Sequence, residues 1–240
     1  MEINSWERIW RDRSFDLPSS SNANLENIKT ALRLDGFDKE TSGGFSIESY
    51  LSFIKKWGGL LDLKSNESVF EVGCGSGAFL ASLKHIFSVK AYGSDYSDKL
   101  ISIGKELFPF IDFSCGDAET TAIPKNINHI FSFSVFQYFD NYNYARNTIT
   151  NMIQSNARSI SILDIPDIDS KSLSEEFRRS SLGDANYDKN YLSKGLIHLY
   201  YAKDWMSENF TQDWKISFYN MEIKGYQNSQ FRYNLLATRD

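Results

Sequence analysis

Apolar positions along the chain change their spacing near residue 68. Before that point, Ile3, Trp6, Ile9 and Trp10 fall three and four residues apart, the stripe of an amphipathic helix. A polar stretch rich in Ser and Asn follows over residues 16–24. A second stripe, Ile47, Tyr50, Leu51, Ile54 and Trp57, stops at Gly58-Gly59, which predicts a helix end there. Beyond residue 68, short apolar runs at 69–72, 91–94, 111–113, 130–134 and 159–163 read as strands. Helical patterns at 78–87, 98–108 and 143–155 fall between them.

Strands alternating with helices require right-handed crossovers and a parallel sheet covered on both faces. After Pro166 the pattern lapses: residues 167–195 are polar and charged, with a helical stretch near 173–179, and read as an insertion before a helix at 203–209. The last apolar runs, 214–220 and Phe231, Tyr233, Leu235 and Ala237, are joined through a loop at Gly225 short enough for an antiparallel return. The expected fold is a doubly wound, Rossmann-like α/β domain. It has a seven-stranded, mostly parallel sheet with an antiparallel C-terminal strand, an N-terminal helical lid and an insertion after strand five. Residues 1–240 are expected to form one domain, with a helical cap over 1–60, a core over 61–165, the insertion over 166–202, and a helix and hairpin over 203–240.

Composition narrows the function. With 240 residues and 41% hydrophobic content, at a mean hydropathy of −0.41, the chain can bury one sizeable core. Its long apolar run at 130–139 is broken by Ser and Gln and falls far short of the roughly 20 residues a membrane helix needs. Residues 1–7 carry no basic then apolar leader, so a cytoplasmic protein is expected. A net charge of −5, from 31 acidic against 26 basic residues, disfavours nucleic acid and anionic membrane as partners. Two cysteines, Cys74 and Cys115, with three histidines suggest neither a zinc site nor a disulfide scaffold, so no metal is expected. Aromatic content is high, at 18 Phe, 13 Tyr and 5 Trp, and some of these rings are candidates for a ligand site.

The richest motif is Glu71-Val72-Gly73-Cys74-Gly75-Ser76-Gly77, three glycines between a strand and a helix. Glycine there permits a tight turn and lets a ligand approach the backbone with no Cβ in the way. In a doubly wound sheet this turn lies at the carboxyl ends of the strands, where ligands bind. The glycines recur at every second position after an acidic residue, unlike the dinucleotide spacing, so an amino group suits Glu71 better than a pyrophosphate does. Asp95 ends the next strand, where a carboxylate can accept from both hydroxyls of a ribose. Asp117, in Gly116-Asp117-Ala118 after the third strand, could take an adenine amino group.

These motifs, with the run from Ile130 to Phe139, resemble in order the motifs of class I S-adenosylmethionine-dependent methyltransferases, over about residues 46–240. The resemblance implies S-adenosyl-L-methionine as cofactor and S-adenosyl-L-homocysteine as product. It implies that Glu71 and Gly73 hold the methionine amino group, Gly75 and Gly77 shape the turn, and Asp95 binds ribose. Tyr96 would pack on adenine, Asp117 and Ala118 read its edge, and Phe133 and Ser134 lie beneath the sulfonium. The chain departs from the family where Asn128 replaces a frequent acidic residue and Gln137 a frequent histidine.

Displacement at a sulfonium depends on holding nucleophile and methyl carbon in line. A hydroxyl acceptor gains from a general base, whereas an anionic oxygen needs only positioning. His85 falls in a helix and His129 in a strand, which leaves His198 as the candidate base, with Asp164 and Gln137 as further catalytic candidates. Trp6, Trp10, Arg11, Tyr138, Arg178, Arg179, Tyr200 and Tyr201 are the substrate candidates. Arg13 and Lys171 add cations beside the two lid segments, and if these converge the acceptor is anionic. The expectation is methylation of a small molecule, at oxygen, in surface-polysaccharide (capsule, including phosphate or phosphoramidate decoration) or natural-product biosynthesis, by a monomer or homodimer. N-methylation and a catalytically inactive cofactor-binding partner subunit are the alternatives. An NAD-dependent oxidoreductase is disfavoured by the glycine spacing. Nucleic-acid methylation is disfavoured because Ser134-Val135-Phe136-Gln137 stands where an Asn/Asp-Pro-Pro-aromatic motif would be.

Overall fold

The computed structural model describes residues 5–12, 24–37 and 44–239. Ile3 and Arg13, and the polar stretch at 16–23, lie outside the described residues. The N-terminal segment supplies α1 (Ser5–Asp12), α2 (Asn24–Leu34) and α3 (Ile47–Leu60). The alternating region then gives β1 (Ser68–Val72), α4 (Ala78–Phe87), β2 (Lys90–Asp95), α5 (Asp98–Leu107), β3 (Asp112–Cys115) and β4 (His129–Phe133). It continues through α6 (Tyr142–Ile153) to β5 (Ser159–Pro166). The insertion folds as α7 (Lys171–Leu182) and α8 (Asp184–Asn190), followed by α9 (Lys203–Glu208), β6 (Lys215–Asn220) and β7 (Arg232–Thr238).

The seven strands form one sheet in the order β3-β2-β1-β4-β5-β7-β6. All pairings from β3 to β5 are parallel, and β7 runs antiparallel between β5 and β6. The expected class of fold is therefore present. The strand order reverses between β1 and β4, and the crevice such a reversal opens lies beyond their carboxyl ends. β1 is buried at all five positions, as a central parallel strand is. The period of two turns Val69 and Glu71 toward the cluster formed with α2, α3 and α4, and Phe70 and Val72 toward the cluster formed with α6, α9 and β7. Glu71 is thus a carboxylate aimed at the N-terminal helices.

Three local details differ from expectation. A helix over Asn24–Leu34, with Ile28, Ala31 and Leu32 buried at helical spacing, begins where the polar stretch ends and was not read from the sequence. Gly58-Gly59 does not end α3, which runs on to Leu60; a Cβ at Gly58 would stand 2.3 Å from the Phe87 ring, so this glycine serves the close crossing of α3 over α4. β5 extends to Pro166 through a register shift between Ile162 and Ile165, where Asp164 is held at φ 63°. No helix among the described residues is long and apolar enough to cross a membrane. Among the same residues no cluster of metal-ligating side chains occurs.

Candidate functional site

A cleft of about 1040 Å³, counting its open mouth, lies beyond the carboxyl ends of β1, β2 and β4. Its floor is the glycine turn. Gly73, Gly75 and Gly77 take φ values of 74°, 53° and 91°, a left-handed backbone that an L side chain resists. The amides of Gly73 and Cys74 both donate to the carbonyl of Ser94, at 2.8 and 2.9 Å, which locks the turn to the end of β2. Asp95 completes the lock: its Oδ2 accepts from the Gly75 amide at 2.9 Å and its Oδ1 from the Ser97 amide at 2.8 Å. Gly77 caps the start of α4, where a Cβ would meet Phe113 at 2.5 Å.

Three carboxylates converge here. Glu71 is 2% exposed, yet it lines the cleft, and its Oε2 has no hydrogen-bond partner among the described residues. Burial, then the charges of Asp35 and Asp95, push its carboxyl well above the usual range. Asp35, the residue after α2, reaches over the turn. Its Oδ1 accepts from the Ser76 amide at 2.8 Å and from the Ser76 hydroxyl at 2.9 Å, and a Cβ on Gly75 would lie 2.4 Å from that oxygen. Burial raises the Asp35 carboxyl to about 7, opposed by the Ser76 bonds and reinforced by Asp95. Burial also raises Asp95, against its two amide bonds and the guanidinium of Arg11. An unpaired buried carboxylate is expensive, so the chemistry this cradle suits is a compact cation brought in by a ligand.

The other expected cofactor residues are brought to the same walls: Gly73, Tyr96, Asp117, Ala118, Phe133 and Ser134 all line the cleft. Gly77 shapes the turn from behind. Tyr96 carries the Arg11 guanidinium 5.2 Å from its ring centre. Ser134 has φ 58°, and its hydroxyl accepts from Gln137 Nε2 at 2.7 Å. Phe37, Tyr50 and Tyr144 also line the cleft, and neither they nor Asp35 were singled out from the sequence. The apolar spacing of Ile28, Ala31 and Leu32 was a signal for the helix that leads to Asp35 and Phe37, but not for what that helix packs against.

The acceptor end is less as expected. Trp10 and Tyr138 line the cleft, their rings 5.2 Å apart, and Trp6 packs behind Tyr138 at 4.8 Å. Trp6 also reaches the insertion, donating from Nε1 to the Ile197 carbonyl at 3.1 Å and lying 5.0 Å from the His198 ring. His198 is half-buried; its Nδ1 accepts from Arg178 at 2.6 Å, and burial with the charges of Arg178 and Arg232 holds it well below the usual histidine range. It lies behind Tyr138, not on the cleft wall. Gln137 gives its Nε2 to the Ser134 carbonyl and hydroxyl, at 2.8 and 2.7 Å, while its Oε1 has no partner among the described residues. Asp164, completely buried, accepts from Tyr226 at 3.0 Å and faces Arg232 at 3.9 Å. Tyr200 and Tyr201 are buried, donating to the Ser174 hydroxyl at 3.2 Å and the Phe136 carbonyl at 2.8 Å. Arg179 turns outward to Asp184 and Asp188, at 3.2 and 3.3 Å. Arg178, Tyr200 and Arg179 find their partners within the insertion, whereas Gln137, Asp164 and Tyr201 bond to the strand-end loops and to β7; Asp164 Oδ1 and His198 Nε2, like Gln137 Oε1, have no partner among the described residues.

Residues 69–155 match the family described as a methyltransferase domain. Over 101 residues the chain is 30% identical to protein 235L of Invertebrate iridescent virus 6, whose name assigns it provisionally to the methyltransferases; the match covers 41% of this chain and 37% of that protein, about a third of its length. Among solved structures, PH0226 protein from Pyrococcus horikoshii superposes with a TM-score of 0.60 at 14% identity, covering 88% of this chain and 99% of that one. Magnesium protoporphyrin IX methyltransferase from Synechocystis, solved with bound S-adenosylhomocysteine, gives a TM-score of 0.58 at 13% identity, covering 98% and 93%. In motif order, matched domain and sheet topology the chain resembles the class I methyltransferases.

Proposed function

We propose that this chain, built on the class I methyltransferase fold, transfers a methyl group from S-adenosylmethionine to an oxygen atom of a small molecule. The observation that carries the reading is Glu71: a buried carboxylate with an oxygen lacking a partner among the described residues, turned into a glycine-floored cleft that ends in Asp95 and Tyr96. Its charge suits the cofactor's ammonium group, Asp95 keeps lone pairs free for ribose hydroxyls, and the Tyr96 ring offers a face for adenine.

The bound cofactor would supply the electrophilic methyl carbon of a sulfonium. In the transfer, a lone pair of the acceptor oxygen forms the new O–C bond while the C–S electrons return to sulfur, leaving a neutral thioether. The chain's part is alignment and exclusion of water. Trp10 and Tyr138 form an aromatic wall on the acceptor side, suited to a sugar ring or a natural-product scaffold. His198, held neutral and behind that wall, is not placed to take a proton from a bound acceptor. This favours an acceptor oxygen that is already anionic, a carboxylate or phosphate, because such a nucleophile needs no base. Arg178 bonds the His198 ring, which packs on Tyr138, and Arg11 lies over Tyr96, so a cation stands beside each side of that wall.

Calorimetric titration with S-adenosylmethionine tests the first half, with saturable micromolar binding expected; its absence overturns the reading. Transfer of labelled methyl to candidate sugars, phosphates and carboxylates, followed by identification of the methylated atom, tests the second. Binding without thioether formation would instead make the chain a catalytically inactive partner subunit, and a methylated nitrogen would replace the oxygen assignment.

A further inference from the structure

Glu71 belongs to the glycine motif, but Asp35 does not: it comes from α2, ahead of the sheet, and still meets the same turn. Its position is unfavourable for a carboxylate on local grounds, because it follows the last turn of a helix, at the negative end of the backbone dipole. The Asp35 amide still donates to Ala31 at 2.8 Å, so the residue is part of that helix end. Compensation comes from the Ser76 amide and hydroxyl at the start of α4. A capping role alone would account for those two bonds. It does not account for the carboxylate lining the cleft beside Glu71, whose Oε2 has no partner among the described residues.

We propose that Asp35 and Glu71 together seat the amino group of S-adenosylmethionine, and that Asp35 makes the site prefer the cofactor to its own product. This rests on the reading above that the cleft binds S-adenosylmethionine. At neutral pH the cofactor carries an ammonium, a sulfonium and a carboxylate; loss of the methyl turns the sulfonium into a neutral thioether, so the product has one positive charge fewer. Low-dielectric surroundings strengthen the interaction of that charge with each cleft carboxylate. A third carboxylate beside Glu71 and Asp95 therefore weights the site toward the more cationic ligand and helps the spent one leave.

The groups facing the cluster are Tyr50 from α3, Cys74 from the turn, Asp95 at the end of β2, Tyr96 just after it, and Glu7 and Arg11 from α1. Arg11 offsets Asp95, whereas the charges acting on Glu71 among the described residues are those of Asp35 and Asp95. The empty cluster consequently retains protons that a cationic ligand expels. Asp35 sits at about 7 in the empty cleft and falls when either ligand brings its ammonium, further when a sulfonium comes with it, so binding of both is weakened below that pH and gains strength as pH rises through it, the cofactor more than the product. The product, less cationic, expels fewer protons.

The test is calorimetry of wild-type protein with S-adenosylmethionine and with S-adenosylhomocysteine, in two buffers of different ionisation enthalpy. The expected result is greater proton release for the cofactor, and a cofactor-to-product affinity ratio that rises about twofold between about pH 6 and about pH 8, the ammonium common to both ligands accounting for the rest of the release. In Asp35→Asn, which keeps the acceptor for Ser76, that ratio is expected to fall about fivefold or more and lose most of its pH dependence. A ratio unchanged at every pH in a folded Asp35→Asn protein overturns the proposal and leaves Asp35 a cap. If the variant does not fold, equal proton release by the two ligands in wild type overturns it, and unequal release supports it. Failure of wild type to bind either ligand is a different result, which removes the cofactor reading itself.

Discussion

At the glycine-turn end of the cleft the geometry is set by backbone: the amides of Gly73, Cys74, Gly75 and Ser97 are all spent on Ser94 and Asp95. At the other end it is set by side chains from segments remote in sequence, with Trp6 of α1 packed against Tyr138 and His198. Bonds within one turn leave few alternatives, whereas stacked rings on two separate covers can rearrange without breaking the sheet. The first end suits a ligand shared by a whole family, and the second is where a chain acquires its own substrate.

Several substitutions would break or sharpen this contrast. The largest effect is expected for Asp95→Ala, which frees the Gly75 and Ser97 amides and removes the ribose acceptor: about a hundredfold weaker cofactor binding by calorimetry, on the order of 2–3 kcal/mol. Gly75→Ala attacks the same end through sterics, since its φ is 53° and the new Cβ would crowd Asp35. A Tm lower by roughly 3–6 °C is expected for it, with cofactor affinity reduced about tenfold. Trp6→Ala should act on the opposite end alone, raising the acceptor KM about tenfold while the cofactor Kd stays within about twofold. Equal loss of both would show that the two ends are one unit.

The smallest effect concerns stability. Because burial keeps the Asp35 carboxyl near 7 in the folded chain, the fold binds that proton more tightly than the unfolded chain does. Its ionisation therefore subtracts stability in full above about pH 7, and the penalty disappears as pH falls toward the ordinary carboxylate range. Thermal melts of unliganded Asp35→Asn should show a gain of about 1 kcal/mol above neutrality that vanishes in acid. A gain independent of pH would argue against the charge as its source.

The parallel core was readable because its signals are local: Glu71-Val72-Gly73 and the strand-ending Asp95 each declare their role within a few residues, and the period of two fixes which way Glu71 points. The antiparallel end was readable for the same reason. Asp35 was not, since nothing near it states that α2 will lie across α4; the contact with Ser76 joins residues 41 apart in sequence. His198 and Asp164 show the opposite limit: neither lines the cleft. Each has the right chemistry, but Arg178 of the insertion bonds the His198 ring and Arg232 of β7 faces the Asp164 carboxylate. Competition between polar partners is a tertiary property that spacing does not record.

The length of α1 has a thermodynamic consequence. Its eight residues are fewer than the ~12–15 at which an isolated helix begins to persist in water. Its helicity is underwritten from outside, by Ser97, which donates to the Trp10 carbonyl at 3.0 Å, by the Tyr96 ring beneath Arg11, and by Tyr138. Any ligand lodged against Tyr96 and Tyr138 therefore also stabilises the helix above it. The contacts that hold α1 are shared with both ends of the cleft, and cofactor and acceptor are expected to bind with positive cooperativity, without a change in the sheet.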